Sequence, residues 1–190
     1  MTLPKGWVQD AAQYENIDKV MEFLSFPPAN YHDPALKQYE EEILAVHKKW
    51  LHYWNHESLA DAPNGLKGCR DYYNADQTVS FDMFGNSTRG QFGSHFDEIF
   101  PYIADGKMAW KDLEVTACSP TFGFSHMYQH TWGTAADGKK FDTSFRLTDV
   151  LKKTDGKWQV VHEHVSFPIN MATQKADFTN TIDPKAAAEF

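Results

Sequence analysis

Aromatic and ionisable side chains alternate along one stretch in the second half of the chain. Every second residue there is aromatic or an imidazole: Phe122, Phe124, His126, Tyr128, His130 and Trp132. Residues two apart lie on one face of a strand, and histidine exchanges protons near neutral pH. The row predicts either a cavity wall or a subunit interface. In the first, His130 is catalytic and His126 and Tyr128 contact a ligand; in the second, the imidazoles only form hydrogen bonds.

A carboxylate stands near the end of an earlier strand-like run. Asp82 belongs to the run Thr78–Met83, which closes just before Gly85. Burial among apolar groups raises the pKa of a carboxylate, which makes it a usable proton acceptor near neutral pH. Asp82 is therefore a candidate general base. The alternative is that its side chain only caps the following turn.

Arg146 is the cation that such carboxylates would attract. A buried charge must be paired, so an arginine inside the fold would bind Asp82 or Glu163, or hold a carboxylate or carbonyl group of a ligand. Arg146 is thus predicted either to stabilise the negative charge that develops during a reaction or to form a structural salt bridge.

The last strand-like run carries ionisable residues on both faces. His162, His164 and Ser166 share one face, and Glu163 lies on the other. A register shift of one residue exchanges the faces, so either His164 or Glu163 could line a pocket. The His-x-His spacing could hold a metal ion, but no third ligand is close in sequence. Neither a metal nor an organic cofactor is expected.

The periodicity of the apolar residues predicts an α+β domain. Asp33-Pro34 is a typical helix start, and apolar or aromatic residues then recur at three- and four-residue steps through Trp50 and Trp54. These two rings either close a cavity or pack in the core. Further helices are predicted at Leu66–Tyr73 and Gln91–Ile103. Strands are predicted at Thr78–Met83, Trp110–Ser119, Thr121–Thr134, Lys140–Lys153 and Lys157–Phe167. Long antiparallel strands twist strongly, so a mostly antiparallel sheet should wrap around the N-terminal helices as a half-open cone.

Composition narrows the class of protein. The chain has 190 residues, a formal charge of −8 and no block of Lys or Arg, so no nucleic-acid partner is expected. It has neither the apolar core of a signal peptide nor a run of membrane-spanning length, which favours a cytoplasmic protein with no membrane partner. The organisation predicted is an N-terminal arm at 1–32, one domain at 33–168 and a C-terminal tail at 169–190.

Two stretches resemble a known superfamily. The segment Tyr73–Gly85, followed by Arg89-Gly90 and His95-Phe96, resembles the first strand and helix of ketosteroid-isomerase-like proteins. The segments 146–150, 155–158 and 161–168 resemble the closing hairpin of the SnoaL-like, polyketide-cyclase-like branch. Both belong to the nuclear transport factor 2-like superfamily, and the resemblance covers about residues 34–168. It implies the cone-shaped fold, a general base at Asp82, and a protonated aspartate on the strand containing Thr148 and Asp149. It also implies a homodimer formed through the outer face of the sheet.

Two functions remain open. The first is an enzyme without a cofactor that does acid–base chemistry, of isomerase, dehydratase or cyclase type, on a small hydrophobic molecule bearing a carbonyl or hydroxyl group. Its predicted catalytic residues are Asp82, His130, Arg146 and His164, and its predicted substrate contacts are Trp50, Trp54, Tyr73, His126, Tyr128 and Glu163. The second is a non-catalytic ligand-binding or oligomerisation domain, in which the aromatic row forms a dimer surface.

Overall fold

The computed structural model describes residues 3–61, 67–74, 76–83, 85, 87–89 and 103–187. The helix predicted from Gln91 to Ile103 lies outside the described residues except for Ile103, which begins a strand. No helix in the described ranges is long and apolar enough to cross a membrane.

Four of the described helices precede the sheet in the chain. They are α1 (Ile17–Glu22), α2 (Lys37–His56), α3 (Ser58–Asp61) and α4 (Lys67–Tyr72), and a further short helix spans Pro184–Ala187. The predicted start of the long helix is confirmed, because Asp33 Oδ1 accepts the Ala35 N–H at 2.9 Å and a 3₁₀ turn then leads into α2. The buried face of α2 includes Ile43, His47 and Trp50. This face is the one that apolar spacing predicted.

Six strands form one open sheet. They are β1 (Val79–Phe81), β2 (Ser87–Arg89), β3 (Ile103–Ser119), β4 (Phe122–Ala135), β5 (Lys140–Thr154) and β6 (Lys157–Ser166), in the order β2-β1-β6-β5-β4-β3. All neighbours are antiparallel except β1 and β6. The strands β7 (Ile169–Asn170) and β8 (Lys175–Ala176) form a separate hairpin. The predicted α+β cone is confirmed: a mostly antiparallel sheet with α2 packed on its inner face.

Small residues on β4 decide which face of the sheet is inward. Gly123 lies so close to α2 that an added Cβ would sit 2.7 Å from Ile43 Cδ1. Ser125 and Met127 follow on the same buried face. Because α2 fills the space next to Gly123, this position must be small, and the aromatic alternates turn outward. The alternating row from Phe122 to Trp132 therefore lies on the outer face of the sheet and does not line the inside of the cone.

Asn55 ties the C-terminal half of α2 to β3 and to the N-terminal arm. Its Nδ2 donates to the carbonyls of Gln9 at 3.1 Å and Met108 at 3.0 Å, and its Oδ1 accepts the Met108 N–H at 2.8 Å. The side chain is buried. A side-chain amide thus satisfies both backbone groups of Met108 on the edge of β3 that no described strand covers.

Asn55→Ala is expected to lower the free energy of unfolding by about 2 kcal/mol, because Met108 then loses two buried hydrogen bonds. Chemical denaturation measures the change. The control His52→Ala alters an exposed residue of the same helix and should change stability by less than about 0.5 kcal/mol. Equal midpoints for the two variants would contradict the prediction.

Candidate acid–base site

A row of polar side chains crosses the inner face of the sheet. Ser125 on β4 faces Asp149 on β5, Asp149 faces Glu163 on β6, and Glu163 faces Ser80 on β1. All four are buried, and Asp149 is 0% exposed. Cross-strand neighbours on one face have Cβ atoms about 5 Å apart. The register therefore brings two carboxyl groups together inside the cone, and Glu163, not His164, is the residue of β6 that points inward.

Glu163 is held by two hydroxyl groups. The Tyr73 hydroxyl donates to Glu163 Oε2 at 2.5 Å, and Ser80 Oγ lies 3.5 Å from Oε1. Burial raises the pKa of Glu163 to about 7; the hydrogen bonds from Tyr73 and Ser80 oppose this change, and the negative charge of Asp82 adds to it. A carboxyl group with a pKa near neutrality can both accept and return a proton.

Asp149 is the second acid of the pair. The Tyr72 hydroxyl lies 2.9 Å from Asp149 Oδ2 and 2.8 Å from His47 Nδ1. Burial and the charge of Glu163 raise the pKa of Asp149 well above its usual range. Burial lowers the pKa of His47 to about 3. At neutral pH the imidazole is therefore uncharged, and the surroundings of Asp149 favour its protonated form over the charged one.

Aromatic rings surround these acids. Trp50 stacks on Tyr72 with ring centroids 4.5 Å apart and meets Tyr73 edge-on at 5.6 Å. Trp54 lies one turn further along α2, with its ring 5.9 Å from that of Trp50. The predicted contacts Trp50 and Tyr73 are therefore brought to the acid site, and Trp54 packs behind Trp50. These rings keep water from the carboxyl groups, which is the physical cause of the raised pKa values.

Asp82 lies at the rim of this site. It follows β1 directly and is partly exposed, and its charge acts on Glu163. The structure thus places Asp82 close to the paired acids but not among the buried groups. Its predicted role as general base stays a prediction, with Glu163 as the better shielded carboxylate of the two.

The other predicted site residues lie on the outer face of the sheet. His126 and Tyr128 are half-buried there, Arg146 and His164 are exposed, and His130 lies between the rings of Trp7 and Trp132. The expectation that Arg146 lies inside the cone is wrong, because it alternates with the buried Phe145 and Leu147. Its guanidinium group therefore lies on the face of the sheet opposite to Glu163.

His130 and His126 have acidic neighbours on that outer face. His130 Nε2 lies 3.0 Å from Asp142 Oδ1, although the two atoms are not aligned for a hydrogen bond, and His126 Nε2 lies 3.3 Å from Glu114 Oε2. None of these groups reaches Asp149 or Glu163. The predicted catalytic set is therefore divided between the two faces of the sheet.

Two of the depressions on the described surface are lined by residues of the acid site or of the outer face. The larger, of about 920 Å³, lies between α2, α4 and the β5–β6 hairpin, and Trp50 and Tyr72 form part of its wall. The Tyr72 side chain therefore lies between this depression and the Asp149 carboxyl group, to which its hydroxyl group bonds. The smaller, of about 350 Å³, lies between the N-terminal arm and the outer face, where it is lined by His126, Tyr128 and Arg146.

The predicted catalytic residues do not include three residues of this site, although the resemblance implied a protonated aspartate on the strand that contains Thr148 and Asp149. Asp149 interrupts an otherwise apolar inward row of β5, which runs Phe145, Leu147, Asp149 and Leu151. An acid in such a row is a sequence signal for a buried carboxyl group. Tyr72 and His47 carry no comparable signal, because aromatic residues at helical spacing also serve as core.

No three His, Cys, Asp or Glu side chains lie close enough to bind a metal ion within the part of the chain that is described. The inward groups are carboxyls, phenols and one neutral imidazole, joined by hydrogen bonds. Such a set can move a proton between a carboxyl group and a bound molecule. A carboxyl group that stays protonated in such surroundings can also donate a hydrogen bond.

A bent sheet wrapped around one long helix, with ionisable groups inside, defines the class of nuclear transport factor 2-like proteins. The chain belongs to the SnoaL-like domain family, whose model matches residues 70–170. The sequence matches no curated protein.

Solved structures share this fold. A nuclear transport factor 2-like protein of unknown function from Pseudomonas putida KT2440 is 26% identical, with a TM-score of 0.58 over 77% of this chain and 97% of that one. A protein described as a calcium/calmodulin-dependent protein kinase II association domain, from Xanthomonas campestris, is 22% identical, with a TM-score of 0.54 over 66% and 85%. A type 2 hexachlorocyclohexane dehydrochlorinase, LinA, is 9% identical, with a TM-score of 0.54 over 68% and 84%. The last two likenesses show the fold alone.

Proposed function

We propose that this protein is an enzyme without an organic cofactor that transfers protons on a small hydrophobic molecule bearing a carbonyl or hydroxyl group. The observation that carries the proposal is the pair of directly opposed, buried carboxyl groups, each bonded to a tyrosine hydroxyl. If these two positions served only the stability of the fold, apolar residues would stabilise it more, because buried ionisable groups cost stability.

The proposed mechanism assigns different roles to the two acids. Glu163, with a pKa of about 7, takes a proton from carbon as the general base. Tyr73 orients its carboxylate. Asp149 stays protonated, so Glu163 ionises beside a neutral neighbour and Asp149 can donate a hydrogen bond to a substrate oxygen. Proton return from Glu163 completes an isomerisation; loss of a leaving group completes an elimination.

The ring-lined surroundings favour an apolar substrate. Trp50 and Tyr72 line both the larger groove and the acid site, so a flat molecule in the groove would contact Tyr72, whose hydroxyl group bonds to Asp149. Trp50 is accordingly proposed as a substrate contact. The same fold carries a dehydrochlorinase, and removal of hydrogen chloride also needs a proton acceptor, which supports elimination as one of the reaction types.

Deuterium exchange tests the proposal without knowledge of the final product. A panel of enolisable ketones and hydroxylated aromatic molecules is incubated with the protein in D₂O, and proton NMR follows the loss of carbon-bound hydrogen. Exchange above the buffer rate with at least one compound is expected. If no compound exchanges, or if exchange persists after heat denaturation, the enzymatic proposal is overturned.

The outer face supports a second proposal, a homo-oligomer. Phe124, His126, Tyr128 and Trp132 remain partly exposed on it as one row, and aromatic residues are enriched at subunit interfaces. Sedimentation velocity gives the assembly. A dimer that binds an apolar panel compound without exchanging any hydrogen would identify the non-catalytic assembly or ligand-binding domain in place of the enzyme.

A further inference from the structure

A segment of the N-terminal arm, residues 23–32, lies along the edge of β3 that no described strand covers. We refer to it as the strap. The Ser25 N–H donates to Asp112 Oδ1 at 2.6 Å, and the Ala29 N–H donates to Glu114 Oε1 at 2.8 Å. Asp112 and Glu114 are both buried. The strap is thus fastened to the sheet by carboxylate side chains instead of by the backbone pairing of a strand.

His32 forms the end of the strap and bridges two carboxylates. Its Nδ1 lies 2.8 Å from Glu40 Oε1 on α2, and its Nε2 lies 2.8 Å from Glu114 Oε1 on β3. Glu40 is 3% exposed and Glu114 is 7% exposed. A neutral imidazole has a single N–H and can donate to only one carboxylate, whereas an imidazolium donates to both. The geometry therefore matches the protonated ring.

Charged or titratable groups from three elements face His32 or its carboxylate partners. Glu40 comes from α2, Glu114 from β3, and His126 of β4 reaches the other oxygen of Glu114 at 3.3 Å. Within the strap, the Tyr31 ring stacks on His32 at 5.8 Å. Partial burial lowers the pKa of His32, but the bonds to Glu114 and Glu40 outweigh that effect and raise it above the ordinary value.

The strap covers part of the outer face. Leu24, Phe26 and Pro27 form one wall of the 350 Å³ pocket, and the opposite wall includes Tyr128 and Arg146. Movement of the strap would open this pocket and uncover the adjacent outer surface.

We propose that residues 23–32 form a pH-sensitive strap, which is fastened to the sheet while His32 carries its proton and is released when that proton is lost. Because the pKa of His32 is raised in the fastened state, the fastening is complete below the ordinary histidine value of about 6.5 and is lost as pH rises through the raised value. The strap is therefore closed in mild acid and open in mild base.

Hydrogen exchange of peptides covering residues 23–32, corrected for the intrinsic effect of pH, tests the proposal on the full chain between pH 6 and 9. Protection of the Ser25 and Ala29 amides should fall by about tenfold for every pH unit that separates the ordinary from the raised pKa of His32. His32→Gln should show low protection that no longer depends on pH. His126→Gln, which alters the other imidazole at Glu114, should keep the pH dependence of the unmodified protein.

Two further measurements exclude a trivial loss of folding. Glu114→Gln should move the midpoint of strap release to lower pH, because one of the two negative charges facing His32 is removed. NMR titration of the His32 ring in the unmodified protein should give a midpoint above about 6.5 that coincides with strap release. Strap protection that is independent of pH, or a ring titration that does not coincide with it, overturns the proposal.

Discussion

Glu163→Gln is expected to lower the rate of deuterium exchange on a responsive ketone by at least about 100-fold, since removal of a general base typically costs two to four powers of ten. Glutamine keeps the shape of the side chain and can still accept the Tyr73 hydroxyl bond, so the fold is retained. It cannot take a proton from carbon. Proton NMR in D₂O gives the rate, and circular dichroism confirms that the variant is folded.

Asp82→Asn is the matched comparison, because Asp82 is the base that the sequence predicts. Its charge raises the pKa of Glu163, so its removal should move the rising limb of the pH–rate profile to lower pH. The maximal rate should change by less than about tenfold, well below the effect of removing a general base. If Asp82→Asn abolishes exchange and Glu163→Gln does not, the roles are reversed and Asp82 is the base.

The second large effect is on stability. The pKa of Glu163 rises from its ordinary value of 4.5 to about 7 in the folded protein. Between these values the folded state keeps a proton that the unfolded state has lost, so rising pH favours unfolding. The free energy of unfolding is expected to fall by about 3 kcal/mol between pH 4.5 and 7 through Glu163 alone, since a tenfold change in acidity is worth about 1.4 kcal/mol. Above about pH 7 this contribution is constant.

Urea denaturation of the unmodified protein and Glu163→Gln at several pH values measures this difference. The fall between pH 4.5 and 7 should be smaller in the variant by about this amount. The contributions of Asp149 and His32, whose pKa values are also raised, remain in both proteins. Glu15→Gln, a change at an exposed position, should keep the pH dependence of the unmodified protein. Parallel curves for the unmodified protein and Glu163→Gln would show that Glu163 is charged in the folded state throughout this range.

Much of the fold could be predicted because it depends on local chemistry. The Asp33-Pro34 helix start and the apolar steps through Trp50 correspond to α2, which ends at His56. The predicted strand from Lys140 to Lys153 corresponds to β5, which ends one residue later. Turn residues and alternation act over a few positions, so they can be recognised from the chain alone.

The acid site could be predicted only in part. Glu163 and Tyr73 were expected to contact a substrate, and both lie in the site. His130, Arg146 and His164 were expected beside them, yet all three lie on the outer face. The alternation of residues along a strand divides them between two faces but does not show which face is the inner one. If the wrong face is chosen for one strand, every second residue of that strand is wrongly placed inside the cone.

The amino-acid sequence by itself determined the class of fold, the long helix and the alternation of each strand, because these follow from propensities and spacings within a few residues. Tertiary structure alone decided that Gly123 and Ser125 face α2, that Asp149 meets Glu163, and that two adjacent tyrosines supply a hydroxyl to each acid. Those contacts join residues up to 90 positions apart. They depend on strand register and on which surface the helix covers, and these are set by the packing of the whole domain.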